Sequence, residues 1–230
     1  MPEPLLRVDN LSRFFKTHGR EVRALDGVSL DVEPGEFVSL KGPSGSGKTS
    51  LFNLIGGLDR PTSGSIYVNG REVHGQSASA LARFRGENIG FVFQDFNLCE
   101  TMTAIENVML GAVLTGAAPG AARKRAFELL ERMELEDRIS HRPWELSGGQ
   151  QQRIAIARAL INHPCLVLAD EPTGNLDEEA AGKVIDLFLA LRDELNLTLL
   201  VATHDAKLLS AADRVIHIQQ GRLKESVAGV

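Results

Sequence analysis

The sequence predicts an α/β fold on a mostly parallel sheet with a helical insert in its middle, and three observations predict it. Continuous apolar runs at residues 166–169 and 197–202 have the pattern of strands buried on both faces, and a helical stretch separates them. Such alternation implies parallel pairing through right-handed crossovers. A glycine-rich loop follows an earlier strand-like run and opens a helix. From about residue 105 to 161 the spacing changes to 3.6 residues, with Ala, Leu, Glu and Arg dominating.

Taken in order, residues 5–11, 24–32 and 36–41 mix β-branched and apolar residues between Gly and Pro punctuation, and read as strands. Residues 49–58 carry Leu51, Phe52, Leu54 and Ile55 on a helical repeat. Pro61-Thr62-Ser63-Gly64 turns the chain into a strand at 65–68, closed by Asn69-Gly70. The opening third is therefore β-rich around a single helix. The helical middle is broken at Ala118-Pro119-Gly120 and at Arg142-Pro143, and a helix at 178–195 links the two apolar runs.

At 230 residues the chain buries roughly 70–75% of its unfolded surface, enough for one core with an appended subdomain. A net charge of −5 argues against broad attraction to nucleic acid. Cys99 and Cys165 lack metal-ligand spacing and build no disulfide framework, which fits a reducing compartment. No run approaches the ~20 apolar residues of a membrane span, so any work at a membrane goes through a partner.

Gly42-Pro43-Ser44-Gly45-Ser46-Gly47-Lys48-Thr49 matches G-x-x-x-x-G-K-[ST] between a strand and a helix, with Ser50 next in that helix. Its glycines let the main chain approach phosphate oxygens, Lys48 offsets their charge, and Thr49 offers a hydroxyl to Mg²⁺. Residues 166–169 end in Asp170 and Glu171, which puts two carboxylates at a strand's carboxyl end. Asp170 suits Mg²⁺ through water, and Glu171 suits activation of the attacking water. His204 follows another buried strand and is positioned to sense a γ-phosphate, whereas His18, His74, His141, His163 and His217 are read as structural. Gln94 ends the apolar run 89–93, with an amide able to reach both Mg²⁺ and the lytic water. Leu146-Ser147-Gly148-Gly149-Gln150 opens a second helix, capped by Ser147 and suited to an anion. Arg153 and Arg158 on that helix read as surface or salt-bridge residues. One nucleotide cannot occupy both cradles, which calls for a head-to-tail dimer with ATP in its seam.

These stretches, over essentially the whole chain, closely resemble the nucleotide-binding subunit of ATP-binding cassette transporters. The resemblance implies a P-loop NTPase with a RecA-like core, an N-terminal antiparallel β subdomain and an inserted α-helical subdomain. It divides a single ATPase domain into 1–94 with 163–230, and a signature subdomain at 95–162. It assigns Walker A to 42–49, the Q-loop to Gln94, the signature to 146–150, Walker B to 166–171, the D-loop to Asp177 and the switch to His204. Two copies would sandwich two ATP molecules with Mg²⁺, Ser147 and Gly149 of one completing the other's site, and adenine would stack on Phe15 or its substitute Phe14. Residues 64–66, 93–98, 103–108 and 173–177 look like the lipoprotein-releasing, macrolide-efflux and cell-division branch, although Cys99-Glu100 stands where Leu-Pro is often found. That likeness implies an integral membrane permease as partner, membrane association only through it, a place on the cytoplasmic face of the inner or plasma membrane, and no nucleic acid. The alternative within the branch is a switch that regulates wall hydrolases without transport.

Overall fold

The computed structural model describes residues 3–17 and 20–225, and His18 lies outside them. In chain order the elements are β1 (Leu6–Thr17), β2 (Arg20–Val32), β3 (Phe37–Lys41), α1 (Lys48–Ile55), β4 (Ser63–Val68), β5 (Arg71–Glu72), α2 (Ala78–Asn88) and β6 (Ile89–Val92). Then follow α3 (Ala104–Leu114), α4 (Pro119–Arg132), α5 (Gly148–Leu160), β7 (Leu166–Asp170), α6 (Glu178–Leu195), β8 (Thr198–Ala202), α7 (Ala206–Ala211), β9 (Arg214–Gln219) and β10 (Arg222–Glu225). They form two compact units, Met1–Arg85 with Leu197–Val230, and Gly86–Asn196. The mixture of parallel and antiparallel pairing is the α/β class expected of a P-loop NTPase.

In the first unit, β2, β1, β4 and β5 make an antiparallel sheet in that order. Leu6, Val8 and Leu11 are buried from it, and the hairpin continues past this apolar stretch to pair Phe15 with Val22. The sequence-read strands stop short because Arg13, Lys16, Glu21 and Arg23 interrupt the apolar pattern there. β3 lies between β8 and β9 in parallel register, Leu40 opposite Ala202 and Lys41 opposite His217. Phe37, Val38, Ser39 and Leu40 are all buried, the condition of a strand covered on both faces. α1 buries Leu51, Phe52, Leu54 and Ile55, the four residues whose spacing marked it.

The second unit pairs β6 with β7 in parallel, Val92 opposite Ala169. α5 packs on α3, α4, α6 and β6. The segment 95–162 lies inside this unit, which also takes in β6, β7 and α6 because all of them are tied to α5 directly or through strand pairing. Within it, Asn107 is buried and fixes the loop before α3. It accepts from the Cys99 amide at 2.7 Å and donates to the carbonyls of Cys99, Met102 and Thr103 at 3.0–3.2 Å. Thr103 and Glu106 form a reciprocal capping box at the start of α3.

Candidate functional site

The phosphate loop is built in the first unit. Gly47 caps α1 with φ of 111° and no side-chain hydrogen bond, leaving the helix start to its main chain. A Cβ on Gly42 would fall 2.2 Å from the Ile218 carbonyl oxygen, and one on Gly47 would fall 2.5 Å from that of Ala24. Both positions therefore demand glycine for space, which is how β2 and β9 press the loop into its tight course. The Gly221 amide donates to the Ser46 carbonyl at 2.9 Å, so the β9–β10 hairpin also holds the loop. The Ser46 hydroxyl is buried without a hydrogen-bond partner among the described residues. Lys48 folds back over the loop, Nζ donating to the carbonyls of Gly42 at 2.7 Å and Pro43 at 3.2 Å. Pro43, Ser44, Gly45 and Thr49 are exposed, while Ser50 is half-buried.

His204 stands exposed two residues past Ala202, next to the strand that feeds the loop. The Thr203 amide donates to the Leu40 carbonyl at 3.2 Å, and Asp205 caps α7 by accepting from Lys207 and Leu208, so both neighbours of His204 are fixed. Phe15 is 37% exposed, with the Arg13 guanidinium 4.4 Å from its ring centroid. Asp59 grips Arg13 through two 2.8 Å bonds, which sets the cation against one ring face. Phe14 carries Arg23 at 5.1 Å. The strand partner of Phe15, Val22, lies two residues from the Ala24 carbonyl that meets Gly47.

The second unit holds the carboxylates, Gln94 and the Ser147 helix. Asp170 ends β7 and Glu171 follows it with φ of 47°, a left-handed backbone rare outside glycine. β6 is its parallel neighbour, so Gln94 leaves the same sheet edge as the carboxylates. Ser147 and Gln150 form a capping box: the Ser147 hydroxyl accepts from the Gln150 amide at 3.4 Å, and Gln150 Oε1 accepts from the Ser147 amide at 2.9 Å. The Gln150 side chain is thereby committed to its own helix. Asp177 caps α6 by accepting from the Ala180 amide at 2.8 Å. A cavity of about 270 Å³ lies between these two helix starts, lined by Ser147, Gly149, Asp177, Arg153 and Lys183 among others. Asp177 and Glu179 bring two carboxylates to the same lining, and its cations are paired, Lys183 with Glu179 at 2.6 Å and Arg153 with Glu134 at 3.1 Å. Within one copy, what remains to face an anion is the Ser147-capped start of α5. Gly148 approaches Leu176 and Gly149 approaches Ala180, each at 3.2 Å from an added Cβ.

Arg158 departs from its reading as a surface or salt-bridge residue. It is half-buried and donates through Nη1 to the Asn97 carbonyl and through Nη2 to the Phe96 carbonyl at 2.7 Å, both residues having positive φ. Burial lowers its pKa. It thus clamps the loop after Gln94 to α5, a role that the spacing of arginines on one helix does not disclose. Arg153 does make an ion pair, to Glu134 at 3.1 Å, and also donates to the Met133 carbonyl at 2.8 Å. Ile218, Gly221 and Asn107 likewise carry no local sequence signal of their roles, since their partners are distant in sequence or main-chain atoms.

Among the described residues no cluster of three or more His, Cys, Asp or Glu could hold a metal unaided. Thr49 in the first unit, and Gln94 and Asp170 in the second, each offer a hard oxygen donor of the kind Mg²⁺ accepts. No helix of the described residues is long and apolar enough to cross a membrane.

The family profile described as ABC transporter matches residues 25–174. An uncharacterised ABC transporter ATP-binding protein of Mycobacterium tuberculosis is 44% identical, over 98% of this chain and 91% of its own. The lipoprotein-releasing system ATP-binding protein LolD of Bacteroides thetaiotaomicron is 42% identical, over 96% of this chain and 100% of its own. The macrolide export ATP-binding/permease protein MacB of Hyphomonas neptunium is 44% identical over 97% of this chain, which spans 34% of that longer protein. Among solved structures, the dimeric structure of a bacterial ABC transporter cassette has 40% identity and a TM-score of 0.89, covering 98% of this chain and all of that one. A dimeric post-hydrolysis cassette bound to ADP and Pi gives 39% and 0.88, with the same coverage.

Proposed function

The chain belongs to the ABC transporter family, as an ATP-binding and ATP-hydrolysing subunit of the branch that LolD and MacB represent, and from that membership we propose that two copies close head to tail around two Mg-ATP. The observation that carries this reading is the pair of phosphate-suited helix starts in one chain: the glycine loop before α1 in the first unit and the Ser147-capped start of α5 in the second. Each nucleotide then lies on Gly42 to Thr49 of one copy and on Ser147 and Gly149 of the other. In functional terms 1–94 and 163–230 act as the motor core, and 95–162 as the signature subdomain.

Lys48 exchanges its carbonyl partners for phosphate oxygens, a swap that needs only rotation of its own side chain. Thr49, Gln94 and Asp170 would hold Mg²⁺, the last through water, and the ion when bound supplies a Lewis acid at the phosphates. Glu171 orients and deprotonates the attacking water, and His204 senses the γ-phosphate from the edge of the loop. Phe15 stacks on adenine with the face that Arg13 leaves uncovered. The motor drives a permease of few spans for export, lipoprotein extraction or mechanical signalling, and sits at the cytoplasmic face of the membrane through that partner alone.

Glu171→Gln is expected to lower turnover by ~10²–10⁴ while leaving ATP bound, the loss typical of a missing general base. Steady-state phosphate release beside nucleotide retention on a filter measures both. Wild-type turnover in this variant removes Glu171 from the role.

A further inference from the structure

We propose that Asn175 is the positioning residue that fixes which end of the Gln94 amide faces the metal and the lytic water. This rests on the reading of Gln94 given above. A glutamine amide has a donor end and an acceptor end of nearly the same shape, and only its partners decide which way it points. Asp95 settles the matter through Asn175. Its Oδ1 accepts a bond of 2.8 Å from Asn175 Nδ2, which also donates to the Gln94 main-chain carbonyl at 3.1 Å. With Nδ2 held by two acceptors, Asn175 must present Oδ1 at its other end. That oxygen accepts from Gln94 Nε2 at 3.1 Å. The polarity thus runs in one direction from a carboxylate through two amides, and Gln94 Oε1 is left as the end that can serve a cation.

Gly174 makes this approach possible. A Cβ there would lie 2.9 Å from Gln94 Nε2 and 3.0 Å from its Cδ, so any larger residue would push the amide off Asn175. The network lies entirely in the second unit and joins the end of β6 to the segment that runs into Asp177 at the start of α6. The orienting residue therefore sits two positions from the wall of the α5–α6 cavity. A change in that cavity has a short route to the amide that meets Mg²⁺.

The test uses the full-length protein. In the nucleotide-free state, the side-chain NH₂ resonances of Gln94 are followed by ¹⁵N NMR. The wild type should show protected, inequivalent protons, and Asn175→Ala should collapse them towards free-glutamine shifts and fast exchange. Asn175→Ala should lower kcat by about 10–100-fold, the usual range for a partner that orients a metal ligand. It should also raise the Mg²⁺ concentration needed for half-maximal rate, with KM for ATP held near wild type. In a Gln94→Ala background the same substitution should change nothing further. If Gln94→Ala leaves turnover and Mg²⁺ dependence intact, the reading of Gln94 fails. If Gln94→Ala is impaired but Asn175→Ala is wild type in NMR and kinetics, or if the two losses simply add, the orienting role of Asn175 is overturned.

Discussion

Single residues decide the phosphate loop by space before they decide it by chemistry. Gly42 is the sharpest case, because the atom it would strike is a main-chain oxygen of β9 and cannot swing aside. Gly42→Ala is expected to destabilise the protein by about 1–3 kcal/mol, the range for overpacking, and to depress ATP binding with it. Thermal melts should register the loss as a drop of about 2–12 °C for a chain of this length. Ile218→Ala should not rescue it, since the carbonyl remains when the side chain is gone; rescue would place the conflict at the side chain instead. Much of this scale was legible in the sequence. Lys48, Thr49, Asp170, Glu171, Ser147 and His204 announce themselves because each ends a strand or opens a helix beside residues with one chemical use. Arg158 and Asn175 do not, because their work consists of bonds to main-chain atoms or to amides about 60 to 80 positions away, and no local pattern encodes such a partner.

Elements were legible in proportion to how much apolar surface they bury. β3, β7 and β8 are buried almost throughout and α1 carries four buried residues, so their patterns are plain. α2 buries only Leu81 and Phe84, and its start rests on Ser77 accepting from the Ala80 amide at 3.3 Å, a cap that stands out only once the helix is known. The β9–β10 hairpin went unread for a similar reason, since exposed His217 and Gln219 alternate with buried Ile216 and Ile218 over too short a span. The junction between β5 and α2 carries a pH-dependent contact: His74 Nε2 lies 3.0 Å from the Leu54 carbonyl near the end of α1. Burial lowers the His74 pKa from the ordinary 6.5, outweighing the Leu54 hydrogen bond that pulls the other way. The unfolded chain takes up a proton near 6.5 while the folded one stays neutral to lower pH. Stability from this group is therefore present above 6.5 and falls as pH drops from there towards the lowered value. His163, also lowered by burial, contributes in the same direction. Urea titrations at pH 7.5 and 5.5 should show a smaller loss on acidification for His74→Gln than for the wild type, with the His163 share remaining. An equal loss in both proteins would take His74 out of the linkage.

At the scale of the whole molecule, the proposed pairing makes a claim that no single-chain experiment can imitate. If every ATP lies between the glycine loop of one copy and the Ser147 helix of the other, the two halves of a site belong to different polypeptides, and damage to them can be separated by mixing. Lys48→Ala removes the charge that the loop sets against phosphate and leaves Ser147 and Gly149 intact. Gly149→Arg fills the space beside Ala180 and blocks the cavity while leaving the loop intact. Each variant alone has two broken sites per dimer and should be inactive. In a mixed dimer one site inherits both lesions, and the other inherits the sound loop of the Gly149→Arg copy together with the sound helix of the Lys48→Ala copy. With random exchange at equal concentrations half of the dimers are mixed, so about a quarter of the wild-type rate per chain should return. The recovery should peak at an equimolar ratio and rise with total protein, because the active species is formed by association. A mixture as inactive as its components, in which exchange of subunits has been verified by a fluorescence label on each variant, would mean that loop and helix serve a nucleotide within one chain, and the pairing would have to be abandoned.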